Sequence, residues 1–223
     1  KISLDDDIRK YFPEIPDYGY KITIRNLIHH TSGLRDYLNL WILKGRSYAD
    51  VFDEQEIINL IARQKALNFK PGDQYMYSNS GYFLMAVLVK RVSGMSLRDY
   101  TNQYFFQPLE MNNTHFHDNR NMIVKNRAES YVKNDSVLER VHSSFDLVGS
   151  GGLLSNIDDL ILWDKNYYSN KIGSGEKLME TIRTKGILNN GDTLDYAFGL
   201  VHGEYKGLKT IGHSGGYLGF RTH

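Results

Sequence analysis

The stretch FKPGDQYMYSNSGYFL, residues 69–84, combines a turn, a group of polar residues and the start of an apolar run. The Pro-Gly pair predicts the turn, and the apolar run predicts a helix. Tyr77, Ser78 and Asn79 stand at the start of that helix, where Ser78 or Asn79 could simply cap it while Tyr77 packs. The alternative is a site in which Tyr77 acts as a base. A tyrosine ionises near pH 10 in water, so that role needs positive charge from the helix N-terminus or a lysine.

The composition is that of a globular domain. The chain has 223 residues, of which 41% are hydrophobic and 24% are charged, so it can bury a core. A net charge of +1 gives no electrostatic reason to expect nucleic acid or an anionic membrane as a partner. No run is long and apolar enough to predict a membrane span. The absence of cysteine excludes disulfides, thiolate metal sites and a cysteine nucleophile.

Capping residues predict a series of helices over roughly the first 190 residues. Thr23, Asp53, Ser96 and Ser155 each precede a helical pattern, and the run after Asn79 ends at Gly94. We expect the first of these helices to end at 32–33. Beyond about residue 190, short β-like runs separated by glycine predict antiparallel strands. The sequence therefore predicts an α+β fold in one domain, residues 1–223, with a helix-rich part to about 190 and a sheet part over 191–223.

A second candidate motif is IGHSGGYLGF, residues 211–220. A strand that carries a cation followed by small residues can lie beside a substrate and offer backbone N–H groups to an oxyanion. His213 would face the substrate, and Gly215 and Gly216 would permit close approach of the backbone. The plain alternative is a glycine-rich hairpin turn with an incidental histidine.

Taken together, these segments resemble the serine β-lactamase/penicillin-binding-protein-like hydrolases, and within them the class C β-lactamase-related branch. The branch includes D,D-peptidases, D-aminopeptidases and esterases. The matching segments follow the family's order along essentially the whole chain: ITIRNLIHHTSGL, FKPGDQYMYSNSGY, PLEMNNTHF, GSGGLLSNIDDLILW, YAFGL and IGHSGG. The resemblance implies a β-lactamase/transpeptidase-like fold, with helices packed on an antiparallel sheet that is incomplete in this chain.

The resemblance also implies roles for individual residues. Tyr77 would shuttle protons to and from the nucleophile and the leaving group, and Asn79 would bind the substrate's amide and steady the active-site lysine. His213, followed by Ser214 and Gly215, would bind the substrate's carboxylate side, and the backbone N–H of Gly216 would join the oxyanion hole. His30 and Ser32 would be scaffold residues of the HTSGL turn. No metal or organic cofactor is implied, and we expect His115 and His117 to be exposed histidines because no further ligand completes a set.

The nucleophile of the family is the serine of a Ser-x-x-Lys motif, whose two side chains share a helix face. In relatives this motif lies upstream of the segment that resembles KISLDDDI, residues 1–8. SYVK (130–133) and SGEK (174–177) satisfy the pattern but follow Tyr77, which is the wrong order; Ser174 instead suggests a helix cap. We therefore expect a nucleophile upstream of Lys1 and a truncated catalytic domain that is inactive alone and prone to aggregate at an unpaired sheet edge.

Three classes of function follow from these expectations. The first is a serine hydrolase acting through an acyl-enzyme on a D-amino-acid peptide, a β-lactam or a small ester. The second is a pseudoenzyme or peptidoglycan-binding module that keeps the cleft without the chemistry, and the third is a structural or interaction domain. The resemblance further implies export by a bacterium, to the periplasm or outside the cell.

Overall fold

The computed structural model describes residues 1–141, 144 and 146–223. Helices dominate its regular structure up to about residue 110 and again between residues 157 and 182. The α-helices in the described part are α1 (Ile24–Ile28), α2 (Tyr37–Leu43), α3 (Glu54–Ala62), α4 (Asn79–Ser93), α5 (Leu97–Thr101), α6 (Ile157–Asn166) and α7 (Glu176–Ile182). A 3-10 turn spans Ile8–Lys10, and a π-helical turn at Asn102–Phe106 continues α5.

The strands form two-stranded antiparallel pairs. The pairs are β1 (His115–Phe116) with β4 (Leu153–Leu154), β2 (Ser130–Asn134) with β3 (Val137–Val141), β5 (Val201–Tyr205) with β6 (Leu208–Gly212), and β7 (Gly215–Tyr217) with β8 (Phe220–Thr222). The predicted α+β class is confirmed, and strands follow residue 190 as expected. They form two separate hairpins, however, and four further strands lie in the part that was expected to be rich in helix.

Most of the predicted helix starts are confirmed. Thr23, Asp53 and Ser96 each accept a hydrogen bond from the backbone N–H three residues later, which satisfies a donor that the first helical turn leaves free. Helix α4 ends at Gly94 in a left-handed conformation, with φ of 74°. The predicted end of α1 is four residues late, because the helix stops at Ile28 and His30 adopts a φ of 56° that turns the chain away.

Two predicted caps are wrong. Helix α6 is capped by Asn156, whose side chain accepts from the N–H of Asp159. The Ser155 hydroxyl instead lies 2.8 Å from the Thr114 hydroxyl, a contact with a distant segment that withdraws it from the cap. Helix α7 begins after Gly175 and has no side-chain cap, so Ser174 lies in the preceding turn.

The larger hydrophobic core gathers the N-terminal segment and helices α1 to α4. Its fully buried members include Phe12, Leu27, Trp41, Ile57 and Leu84. A smaller cluster around Phe106, Leu109, Met111 and Ile172 joins the end of α5 to the segment before α7. Helix α4 is therefore packed on several sides, which makes its first turn a fixed reference point for the residues around it.

The HTSGL segment supports the loop that leads into α4. The carbonyl groups of His30, Thr31 and Gly33 accept backbone hydrogen bonds from Met76, Gly72 and Asn68 respectively, at 2.9, 2.8 and 2.8 Å. This run of backbone bonds fixes the path of residues 68–76 and so sets where Tyr77 enters the helix. Among the described residues, no helix combines the length and the apolar character that crossing a bilayer would need.

Substitution of Gly33 tests this docking. Gly33 has a φ of 72°, and a Cβ there would overlap the carbonyl oxygen of Phe69. Gly45 has a similar φ of 81° but open space around it, so it is the matched control. Gly45→Ala should lower the free energy of unfolding by about 1 kcal/mol through backbone strain, and Gly33→Ala by about 2 to 4 kcal/mol because the overlap is added. Equal losses in urea titrations would contradict the contact.

Candidate active site

The first turn of α4 is tied to the segment that follows HTSGL. The Ser80 hydroxyl donates to the carbonyl of Arg35 at 2.6 Å and accepts from the N–H of Tyr37 at 2.9 Å. At the next position, a Cβ on Gly81 would lie 2.8 Å from the Leu27 carbonyl oxygen, so only glycine lets α4 approach α1 this closely. Within the YSNSG sequence, Ser80 and Gly81 therefore dock α4 against the segments around α1.

Asp36 caps two helices at once. One carboxylate oxygen accepts from the N–H groups of Leu38 and Asn39 at the start of α2. The other accepts from the backbone N–H of Asn79 at 2.6 Å and from its side-chain Nδ2 at 2.7 Å. Both helix N-termini thus share one negative charge, which their dipoles favour. The bond to Nδ2 also fixes the amide plane of Asn79, so that its Oδ1 points away from Asp36.

Ser78 occupies the N-cap position of α4, but its side chain makes no capping bond. Its hydroxyl is buried and lacks a hydrogen-bond partner among the described residues. The alternative in which the Ser78 side chain caps α4 is therefore wrong. The carboxylate of Asp36 caps this helix instead, from another segment of the chain. The backbone N–H of Ser78 donates instead to Nδ1 of His30, at 3.1 Å.

His30 lies fully buried beneath the Tyr77 ring. The two ring centroids are 4.2 Å apart, and the rings of Tyr82 and Tyr196 also pack on the imidazole. Because a backbone N–H can only donate, Nδ1 is an acceptor and neutral His30 carries its proton on Nε2. Burial, with a smaller contribution from His213, lowers the pKa of His30 to about 4, so the imidazole is neutral at physiological pH.

His213 reaches the same group of aromatic rings from the sheet part of the chain. Its Nε2 lies 3.1 Å from the hydroxyl of Tyr196, and its Nδ1 lies 2.7 Å from the carbonyl oxygen of Ser214. Its ring centroid is 6.1 Å from that of Tyr77. The structure thus brings together Tyr77 and His213, the two motifs that the sequence singled out. Both ring nitrogens of His213 are engaged within the protein.

The Tyr77 side chain is partly open to solvent, with 44% of its surface exposed. Burial of the rest of the ring, and then the negative charge of Asp36, raise its pKa. That direction is opposite to the one a general base requires. Tyr77 as it stands among the described residues is therefore a neutral phenol, and a basic role would need an added positive charge.

The residues that follow His213 form the exposed strand β7. Gly215 and Gly216 lie opposite Thr222 and Arg221 of β8, so the predicted glycine strand is present. The turn of this hairpin is held by the β2–β3 hairpin: the Ser130 hydroxyl accepts from the N–H of Gly219 at 2.8 Å. A Cβ on Gly219 would overlap the carbonyl of Tyr131, so the two hairpins touch backbone to backbone.

Neither Ser-x-x-Lys pattern in the chain has the geometry of a nucleophile and its partner. Ser130 and Lys133 lie on strand β2, where side chains three positions apart point to opposite faces. Ser174 lies in the turn before α7, whereas Lys177 lies within that helix. The lysine therefore cannot stand one helical turn from the serine in either case.

The histidine pair on β1 differs from expectation. His117 is buried and His115 is half-buried, so the prediction of two exposed histidines is wrong. Their rings contact each other, with Nε2 of His115 3.4 Å from Nδ1 of His117, and Arg127 lies against the second ring. Burial and the nearby arginines lower the pKa of both histidines. Within the described residues, no group of three or more potential metal ligands occurs.

Fold and site together define a class of protein, an α+β hydrolase-like domain with a tyrosine motif facing a histidine-glycine strand. A family model described as "Beta-lactamase" matches residues 1–223, and the chain belongs to the β-lactamase family. The predicted membership among the serine β-lactamase/penicillin-binding-protein-like hydrolases is thereby confirmed, as is the predicted β-lactamase/transpeptidase-like fold.

Individual relatives agree with this membership. The chain is 30% identical over 240 residues to penicillin-binding protein 4* of Bacillus subtilis, covering 99% of this chain and 51% of the relative. It is 27% identical to the D-aminopeptidase of Brucella canis, covering 98% of this chain and 41% of the relative. The octameric penicillin-binding protein homologue of Pyrococcus abyssi has a similar structure, with a TM-score of 0.81, 28% identity, and coverage of 96% and 51%. The chain thus spans about half the length, or less, of these relatives.

The sequence did not indicate Asp36 or Tyr196 as site residues. Asp36 could have been recognised as a cap for α2, because it precedes the helical run YLNLWIL. Its second task, at Asn79, depends on a contact between distant segments. Tyr196 belongs to the YAFGL segment, and no local pattern reveals that its hydroxyl lies between two histidines.

Removal of Asp36 tests the double cap. Asp36→Ala should lower the free energy of unfolding by about 2 to 3 kcal/mol, because the starts of both α2 and α4 lose their acceptor. The matched control is Asp53→Ala, which removes a single cap from α3 and should cost about 1 kcal/mol. The measurement is chemical denaturation of both variants at pH 7. A loss no greater for Asp36→Ala than for Asp53→Ala would show that the second cap contributes nothing.

The buried, neutral state of His30 predicts a pH dependence of stability. Its folded pKa of about 4 lies below the unfolded value of about 6.5, so the unfolded state binds the extra proton in this window. The contribution of His30 is complete above about pH 6.5 and is lost as the pH falls toward 4, by roughly 3 kcal/mol. His30→Gln should lose that part of the slope of unfolding free energy against pH. His223→Gln, at the exposed end of the chain, should keep the wild-type slope; a wild-type slope in His30→Gln would refute the assignment.

Proposed function

We propose that this chain forms the substrate-binding part of a serine hydrolase that works through an acyl-enzyme. The observation that carries the proposal is the approach of Tyr77 and His213, whose ring centroids lie 6.1 Å apart although they come from distant segments of the chain. The names of the relatives, a D-aminopeptidase and a penicillin-binding protein, favour amide bonds next to a D-amino acid as the substrate. β-Lactams and small esters are further candidates, because the same acyl transfer would cleave them.

In this proposal Tyr77 accepts the proton of the attacking serine and returns it to the leaving group. Its raised pKa means that a lysine ammonium must stand nearby before the phenol can serve. Asn79 is well placed to steady that ammonium or a substrate amide N–H, because Asp36 holds its Nδ2 and leaves Oδ1 free to accept. Gly216 would supply one backbone N–H to the oxyanion, and the serine N–H would supply the other.

His213, Ser214 and Gly215 would line the side of the cleft where the resemblance places a substrate carboxylate. Both nitrogens of His213 are already bonded to Tyr196 and to the Ser214 carbonyl. A direct bond from His213 to a carboxylate would therefore require one of these contacts to be exchanged. We propose that His213 acts mainly by shaping this wall of the cleft and by fixing the start of β7.

We further propose that the nucleophile is a serine upstream of Lys1, and that residues 1–223 alone are inactive. Support comes from Ser130 and Ser174, whose lysine partners are misplaced as described above. A pseudoenzyme that binds substrate without turnover is the second candidate, favoured by the neutral state of Tyr77. Export from a bacterial cell stays a prediction that rests on the family resemblance.

A fluorophosphonate probe tests the hydrolase proposal. The full-length gene product and residues 1–223 would be incubated with the probe and examined by intact mass and peptide mapping. We expect one adduct, on a serine upstream of Lys1, in the full-length protein only. Tyr77→Phe should slow the labelling about 10²- to 10⁴-fold, the usual range for loss of a general base.

Tyr75→Phe is the matched control, because Tyr75 is 41% exposed and packs on the same histidine. It should label at close to the wild-type rate. An adduct at Ser130 or Ser174 would overturn the placement of the nucleophile. A full-length protein that binds a D-amino-acid peptide but is never labelled would favour the pseudoenzyme.

A further inference from the structure

A continuous chain of hydrogen bonds runs from the tyrosine motif to the glycine strand. It starts at the N–H of Ser78, passes through the His30 imidazole, and reaches the hydroxyl of Tyr196, 3.0 Å from Nε2 of His30. From Tyr196 it continues to Nε2 of His213, and from Nδ1 of that ring to the Ser214 carbonyl. This path of hydrogen bonds therefore begins beside Tyr77 and ends at the start of β7.

The groups at the two ends of this hydrogen-bonded path determine which atom donates and which accepts in each bond between them when His213 is neutral. The Ser78 N–H must donate, so Nδ1 of His30 accepts and Nε2 carries the proton toward Tyr196. The Ser214 carbonyl must accept, so Nδ1 of His213 carries a proton. In neutral His213, Nε2 is then an acceptor, and the remaining donor that faces it is the Tyr196 hydroxyl. Each of the three side chains thus donates once and accepts once along the path.

The surroundings of the hydrogen-bonded path keep His30 and Tyr196 neutral. His30 is 1% exposed and Tyr196 is 5% exposed. Burial lowers the pKa of His30 to about 4 and, with the neighbouring tyrosines, raises the pKa of Tyr196 far above its usual range. Tyr196 therefore retains its proton and needs an acceptor. The Tyr82 hydroxyl also interacts with it, but the Tyr196 hydroxyl is the donor that faces Nε2 of His213, so we assign His213 as the acceptor. An unpaired hydroxyl at this depth would be costly.

We propose that Tyr196, held by His30, is a positioning residue that fixes the orientation of His213 with its proton on Nδ1. This inference rests on the proposed function, in which His213 forms one wall of the cleft. Because Tyr196 also bridges to the histidine beneath Tyr77, it sets the separation of the two walls. Its hydroxyl therefore influences how a substrate is placed without touching it.

The protonation pattern can be tested without any turnover. Long-range ¹H–¹⁵N spectra of the full-length gene product at pH 7.5 report which ring nitrogen of each histidine carries the proton. We expect His30 as the Nε2–H form and His213 as the Nδ1–H form, with assignments from His30→Gln and His213→Gln. In Tyr196→Phe, the His213 resonances should move toward the values of an exchanging mixture, whereas His30 should keep its form because Ser78 still donates to it.

The matched control for the spectra is Tyr37→Phe, which also removes a buried hydroxyl, here bonded to Ser150. It should leave both histidine patterns unchanged. A wild-type His213 protonated on Nε2 would overturn the proposal, as would identical His213 spectra in the wild type and in Tyr196→Phe. These outcomes do not depend on the protein being an active hydrolase, so failure here is distinct from failure of the proposed function.

A double-mutant cycle on a D-alanine p-nitroanilide substrate tests the consequence for catalysis. Tyr196→Phe should lower kcat/KM about tenfold in the full-length protein, through a poorly placed His213. In the His213→Ala background the same substitution should change kcat/KM less than twofold, because the residue that it positions is gone. Equal losses in both backgrounds would show a general structural effect and refute positioning through His213.

Discussion

The interlock between residues 30–37 and the first turn of α4 is the constraint on which the site depends. Ser78, Asn79 and Ser80 each bond to that segment, and Gly81 packs against the end of α1. The hydrogen bonds join backbone N–H groups to side chains of the facing segment, and a further bond joins the Asn79 and Asp36 side chains. Main-chain and side-chain groups together therefore fix the relative position of the two segments. Tyr77 directly precedes these residues, so the same contacts set its position, while 44% of its surface stays exposed.

Local sequence predicted the parts of the fold that are decided locally. The caps at Thr23, Asp53 and Ser96 and the helix stop at Gly94 involve residues within one turn of each other, so short patterns were enough. The choice between Ser155 and Asn156 as a cap was decided by Thr114, a distant partner. The pairing of β1 with β4 was also beyond local reasoning, because it joins distant segments. The β5–β6 pair, by contrast, is set by the local turn Lys206–Gly207, where both residues have positive φ.

The same distinction holds for the site. Tyr77 and His213 were predictable because each lies in a motif that the family resemblance makes visible. Asp36 and Tyr196 were not, because their contacts with Asn79 and with the two histidines form only where remote segments meet. The predicted electrostatics needed correction as well: the sequence suggested positive charge at Tyr77, whereas Asp36 places negative charge beside it. A helix N-terminus favours anions generally, and here the anion it attracts is a carboxylate from a neighbouring helix.

In the β2–β3 hairpin, the atoms that hold the neighbouring hairpin are different from the side chains that are exposed to solvent. At Gly219 the β2–β3 hairpin meets the β7–β8 turn through the Ser130 hydroxyl and the main chain of Tyr131, while the side chains of Tyr131 and Leu138 are exposed to solvent. Substitutions on that outer face can accumulate without moving the glycine strand. The outer face of the hairpin is thus free to diverge or to acquire new contacts, while the contact at Gly219 keeps the β7–β8 turn in place.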